Sequence, residues 1–361
     1  MNLSLNERNR RYAAIRELMK KNKVDCLVCI SRDTYSTRGN TRYITNHGNN
    51  FGEEVVLFPL EGDPSIIAST IRGQAIERGG WVHNFIPVAN VSERVDQLKK
   101  ELARLDRGNK IGIVGISYVS IPVYSAVETQ CSNRIVDMTW IFDQLRAIKS
   151  PEEIDKIRIA ASIADKAYFA IRDMLKPGIS DFELYGEAKK LIHQMGCEYS
   201  MELMMHYPYG RIMKPNEILS FEFTPAYQGY YAQLLAIMPI TEYQSDVQKA
   251  IPIWQEAFAA GEEAMGPGKK VSEVHQAVST VIRKRGRTHI PHRFGHSIGL
   301  DVIDSWEVVP IEDTELKPGM TLAFHPSVTP EPGGVKFGGG YTYLITDRGA
   351  EKLSKADLIG P

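Results

Sequence analysis

Charge of one sign is missing from this chain. Its 361 residues hold 43 Lys and Arg against 44 Asp and Glu, a formal net charge of −1. A protein that grips nucleic acid or an anionic membrane needs a basic footprint, so neither partner is expected. Long apolar runs are missing too, and a bilayer-spanning helix needs roughly 18 or more such residues. The opening stretch, MNLSLNERNRRYAAIREL, is charged from Glu7 onward and has no apolar h-region, so no signal peptide is expected. Cysteine is scarce. Four in 361 residues do not make a disulfide framework. Cys26 and Cys29 form a C-x-x-C inside the apolar run DCLVCIS, with no second pair to complete a zinc site, and so read as buried strand residues. A soluble cytoplasmic protein is expected. What the chain does have is 43% hydrophobic residues, enough for one large domain or two ordinary ones.

The first part alternates. A helical pattern, NERNRRYAAIRELMKKN, precedes the strand-like runs DCLVCIS, EVVLFP, PSIIAS, WVHNFIPV, KIGIVG and RIVDM. Helical stretches such as VSERVDQLKKELARL lie between the later ones, which predicts an α/β domain with a mixed sheet. Ser150 followed by Glu153 is a capping-box signature that opens a long helix. The boundary is placed there, giving domains of residues 1–149 and 150–361.

The second part repeats itself. LKPGISDFELYGEAKKLIHQMG and MGPGKKVSEVHQAVSTVIRKRG each carry a Pro-Gly turn, a polar cap, an amphipathic helix and a closing glycine. Pro177 precedes His206 by 29 positions, and Pro267 precedes His296 by the same number. KPNEILSFEF, from Lys214, matches KPGMTLAFHP, from Lys317, and puts Glu222 opposite His325. Two halves related by a pseudo-two-fold axis would turn His206, His296, Glu222 and His325 towards one central cleft.

LRAIKSPEEIDKIRIAASIADKA, FGHSIGLDV, ELKPGMTLAFHPS and GGYTYLITDRGAEKLS, in this order and spacing, resemble the pita-bread family of creatinase, prolidase and aminopeptidase P. The resemblance covers essentially the whole chain. It implies an α/β N-terminal domain, a C-terminal pita-bread domain, and a homodimer whose N-terminal domain reaches the partner's active site. The family's peptidases hold two metal ions on two aspartates, a histidine and two glutamates. Carried over, those positions are Glu222, Gln233, His296, His325 and, at about the fifth, Gly340. A neutral amide, an imidazole and a missing side chain replace carboxylates that hard divalent ions need, so no metal or other cofactor is expected.

Creatinase, which works without metal, is the most similar member. Its acid/base histidine matches His206, beside which Tyr207 is a candidate for substrate contact. Its tyrosine after a Gly-Tyr matches Tyr231, and its C-terminal pocket histidine falls near Tyr341. The two glutamates that grip its guanidinium group fall on Leu235 and His325, which do not make charge-assisted bidentate bonds, so creatine is not the expected substrate. Gln233 is a further contact candidate. The polar stretch STRGNTRYITNHGNN reads as a loop offering Arg38 and Arg42 to a substrate carboxylate in the partner's site. His275, His289 and His292 read as ordinary half-buried residues.

The expectation is a metal-independent hydrolase of a non-peptide C–N bond in a small polar molecule. His206 would be the proton shuttle, Glu222 would orient it or the water, and Tyr231, His296 and His325 would donate to the developing charge. The alternatives are a lyase or C–C cleaving enzyme on the same pocket, a single-metal enzyme on Glu222, His296 and His325, an Xaa-Pro peptidase homologue, and a non-catalytic binding module.

Overall fold

Apolar runs in the first part of the chain become a sheet. In the computed structural model, which describes residues 3–48, 51–73, 80–204, 210–287, 289–329 and 337–358, the chain divides into two units, Met1–Arg146 and Ala147–Pro361. The first unit carries β1 (Val24–Ser31), β2 (Glu54–Pro59), β3 (Ser65–Ser69), β4 (Asn84–Val88), β5 (Lys110–Val114) and β6 (Ile135–Asp137), in the order β4-β3-β2-β1-β5-β6. Pairs β1–β2 and β2–β3 are antiparallel and the others parallel, so the sheet is mixed. All eight residues of β1 are buried, as in a strand covered on both faces. Cys26 and Cys29 lie fully buried within it as free thiols. Burial pushes both thiols well above their ordinary range.

One expectation for this unit is corrected. The polar stretch around Arg38 and Arg42 is not a loop throughout, because Arg38–Thr45 is a helix whose residues 39–45 are all buried. Its polar groups go inside because they find partners there. Asn40 Nδ2 donates to Ile30 O at 3.1 Å, Asn40 Oδ1 accepts from Arg146 at 2.8 Å, and Thr41 Oγ1 lies 2.7 Å from Ser31 Oγ. Asn46, at φ 53°, ends the helix in the left-handed region.

In the second unit, Ser150 Oγ accepts from Glu153 N at 3.3 Å and the Glu153 carboxylate accepts from Ser150 N at 2.8 Å. That capping box opens the helix Pro151–Met174. The repeat read from the sequence is present in the backbone. Helices Asp181–Gln194 and Val271–Lys284 each span 14 residues. Ahead of the first, Gly178 N donates to Met213 O and Asp181 N to Arg211 O; ahead of the second, Gly268 N donates to Leu316 O and Val271 N to Thr314 O. Asn216 and Gly319 occupy the same place in their Lys-Pro turns, and both are left-handed, at φ 61° and 88°.

These turns feed two four-stranded sheets. One is β10 (Leu234–Pro239), β8 (Ile218–Tyr227) and β7 (Tyr199–Met204), with β9 (Tyr230–Tyr231) also on β8. The other is β11 (Gly295–Ser297), β12 (Thr321–Phe324), β15 (Tyr341–Thr346) and β16 (Gly349–Lys352); β13 (Ser327–Val328) and β14 (Phe337–Gly338) pair separately. An apolar core that includes Phe221, Phe223, Phe324 and Trp254 lies between the sheets and the helices. Among the described residues, no helix is long and apolar enough to cross a membrane.

Candidate active site

The two sheets meet at a backbone bridge. Leu235 N donates to Gly340 O at 3.0 Å, and Gly340 N donates to Leu235 O at 2.9 Å. Leu235 stands beside Glu222 in the β8–β10 register. The bridge therefore draws the end of β15 alongside the middle of β8, and the candidate residues collect around it.

Glu222 is half-buried, as its place in an alternating strand allows. Its Oε1 accepts from Gln233 Nε2 at 2.7 Å and from Thr224 Oγ1 at 3.0 Å. Gln233 is held on its other side by Thr342, whose Oγ1 accepts from Gln233 N at 2.7 Å and donates to Gln233 O at 3.1 Å. Across the bridge, the backbone of His325 packs against Gly340. The imidazoles of His325 and His296 lie with ring centroids 5.2 Å apart, edge to face. Glu222, Gln233, His296 and His325 are thus brought together through Gly340 and Leu235.

His296 is buried, and desolvation takes its pKa down to about 4 from an ordinary 6.5. Its Nδ1 lies 3.1 Å from Ser297 O. A carbonyl only accepts, so in the neutral ring the proton sits on Nδ1 and Nε2 is an acceptor. The sequence reading made His296 a donor to developing charge; at neutral pH this tautomer offers an acceptor instead. The burial also sets a pH dependence. The folded pKa lies below the unfolded one, so folding favours the neutral ring. That stability is present above about pH 6.5 and is lost as pH falls towards 4. A shift of this size corresponds to about 3 kcal/mol. Urea unfolding at pH 7 and pH 4.5 should show the parent losing about 2 kcal/mol more stability than His296→Gln, since pH 4.5 still lies above the folded pKa. Parallel losses in the two proteins would mean that the ring is not held neutral by burial.

The remaining candidates divide. Tyr231 is buried in a small apolar cluster with Ile298, Val302 and Ala323, and Ala323 is the strand partner of His296. Its neighbour Tyr230 points elsewhere and donates to Glu153 at 3.0 Å. Tyr341 is not brought to the cluster. Its ring packs against Phe258, and its hydroxyl accepts from Leu358 N at 3.3 Å. Alternation along β15 explains this, because the next residue, Thr342, is the one that reaches Gln233. Arg38 pairs with Asp33, and Arg42 is buried in the first unit. His206 and Tyr207 lie outside the described residues. Thr224 and Thr342 went unnoticed in the sequence. Thr224 follows Glu222 at the two-residue strand period, which was a usable signal, whereas Thr342 reaches the site only through a cross-sheet contact.

The donors present do not fit a dinuclear metal centre. A Cβ built on Gly340 would lie 2.0 Å from Phe324 O and 2.5 Å from His325 Cα, so no carboxylate side chain has a place at that position. At the neighbouring position an amide N–H, itself a donor, faces Glu222. Among the described residues no three His, Cys, Asp or Glu side chains are grouped so as to hold an ion.

Comparison with known proteins agrees with this architecture. The model of metallopeptidase family M24 matches residues 155–347, and that of the creatinase/prolidase N-terminal domain matches residues 11–148. An X-Pro aminopeptidase from Thermotoga maritima superposes with a TM-score of 0.85 at 17% identity, over 96% of this chain and 98% of its own. A prolidase from Pyrococcus furiosus does so with a TM-score of 0.80 at 18% identity, over 95% and 99%. An uncharacterized peptidase of Staphylococcus aureus strain MW2 is 28% identical over 235 residues, 62% of this chain and 66% of the relative. The fold is that of the creatinase, aminopeptidase P and prolidase family, with the pita-bread architecture in the second unit.

Proposed function

The chain belongs to metallopeptidase family M24, a family of hydrolases, and on that premise we propose that it hydrolyses a C–N bond other than a peptide bond, in a small polar molecule, without a metal ion. One observation carries the reading. Where the family's peptidases gather carboxylates, Gln233 donates an amide N–H to Glu222 at 2.7 Å. An amide donor aimed at a carboxylate stabilises that carboxylate as a hydrogen-bonding group and works against its use as a bridge between dications.

Water must then be activated by side chains. His206 takes a proton from water, which attacks an sp² carbon, and returns it to the departing nitrogen. Glu222, fixed by Gln233 and Thr224, orients that imidazole or the water. His325 and Tyr231 are the donors to the oxyanion. A homodimer with a shared site belongs to the same reading, and light scattering at micromolar concentration should give twice the chain mass.

A second reading, peptide-bond hydrolysis, is favoured by the family match and by the relatives' description as peptidases. Protein dialysed against a chelator separates the two. It is expected to turn over small amides or ureido compounds at an undiminished rate and to leave Xaa-Pro dipeptides intact. Dipeptide hydrolysis that appears on adding manganese, zinc or cobalt would sink the metal-independent reading.

A further inference from the structure

Gln233 holds one polar atom that the described residues around it do not satisfy. Its side chain is buried, with 5% of the residue exposed. The backbone N–H and carbonyl both bond to the Thr342 hydroxyl, and Nε2 bonds to Glu222. Oε1 is buried and, among the described residues, accepts from nothing. Turning the amide over does not help. An ionised carboxylate only accepts, so the amide must present its NH₂ to Glu222, and the carbonyl oxygen is then fixed on the opposite side. Burying an acceptor without a donor is unfavourable, and such atoms in a folded protein call for an explanation. Here the atom belongs to the residue that orients the site's carboxylate, two positions before the Leu235–Gly340 bridge against which His325 packs.

From this geometry we infer that Gln233 Oε1 is a specificity-determining acceptor, which takes an N–H from the terminal NH₂ of a ureido or carboxamide group on the substrate. The inference rests on the hydrolase reading for the word substrate, and it narrows that reading to a chemical class. A neutral NH₂ suits the place. One N–H reaches Oε1, and the other is available to the adjacent Glu222 carboxylate, an arrangement that a methyl group of the same size does not reproduce. A site that hydrogen-bonds an N–H discriminates strongly against the analogue lacking it, because its own buried group is then left unpaired. A carboxylate substituent is excluded at the same point by Glu222 and by the carbonyl dipole of Gln233.

The test is equilibrium binding to the full-length protein in the presence of a chelator, so it needs neither turnover nor metal. The probes are N-carbamoylglycine and N-acetylglycine, which differ only by NH₂ against CH₃, and the corresponding β-alanine pair for a longer spacer. The parent protein should bind the carbamoyl member of at least one pair about tenfold more tightly, the ratio expected for one well-made hydrogen bond. Gln233→Met, of similar volume but with no acceptor oxygen, should bring that ratio to about one. If Gln233→Met does not fold, Gln233→Asn is read instead; its carbonyl is withdrawn by one methylene, and it should lose most of the preference. No preference in the parent, no binding of either pair, or a preference that survives in the variants would overturn the assignment. Loss of the metal-independent, non-peptide reading would appear elsewhere, as metal-restored dipeptide cleavage, with the binding ratio unchanged.

Discussion

His206→Ala is expected to lower turnover by about 10² or more, since a positioned acid/base group contributes roughly 10²–10⁴-fold. Binding of substrate should change far less, because the imidazole acts chiefly in the transition state. The position is argued from the sequence repeat, in which His206 follows Pro177 at the interval by which His296 follows Pro267. The folded chain gives that argument weight. Both repeats open with the same pair of backbone hydrogen bonds across a left-handed glycine, and the second one does deliver His296 to the cluster with His325. If His206 were only a packed residue, His206→Ala would unfold more readily while its folded fraction turned over normally. Melting temperature and turnover measured on one preparation therefore decide. Normal turnover would take His206 out of the mechanism. His296 is poorly placed to replace it, since its buried ring, with a pKa down to about 4, is a weak base at neutral pH.

Local signals carried the fold a long way. Turn chemistry shows this at Asn216 and Gly319, which both adopt the left-handed conformation that the residue after proline takes in a type II turn. The capping box at Ser150 and Glu153 likewise forms as its residue types require. The failures came where tertiary contacts override local composition. STRGNTRYIT looks like a solvated loop because it is polar, yet Asn40 and Thr41 are buried on β1, each satisfied by a specific partner. No window of sequence shows that Ile30 and Ser31 supply those partners. The site divides in the same way. Glu222, His296 and His325 could be placed by matching one repeat to the other, whereas Tyr341 could not. Whether Tyr341 or Thr342 turns towards Gln233 depends on the pairing of β15, and a one-residue difference exchanges the faces.

Gly340→Glu restores in sequence the carboxylate that the family's peptidases carry, and it is expected to lower stability instead of creating a metal site. The backbone at Gly340 is bonded to Leu235 on both sides, so the residue has little freedom to move. A Cβ there would sit 2.0 Å from Phe324 O, 2.5 Å from His325 Cα and 2.6 Å from His325 Cβ. The first two are backbone atoms, which no rotamer change moves aside. Forcing extra atoms into such a place costs typically 1–3 kcal/mol and sometimes more, and the approach to a carbonyl oxygen puts this case at about 3 kcal/mol or above. For a domain of this size that is a fall in melting temperature of roughly 6–12 °C. Gly340→Ala should lose nearly as much, because the Cβ alone makes the clash. Gly186→Ala is the control. Gly186 lies within the helix Asp181–Gln194 and a Cβ there meets nothing within 4 Å, so its effect should be neutral or stabilising. Calorimetric titration of Gly340→Glu with manganese should show no stoichiometric binding, since Gln233 still presents an amide N–H to Glu222 and His325 still stands where a bridging carboxylate would be. A Gly340→Glu protein as stable as its parent that bound two ions would mean that the strands part easily at the Leu235–Gly340 bridge, and that the site is one substitution away from a metallopeptidase.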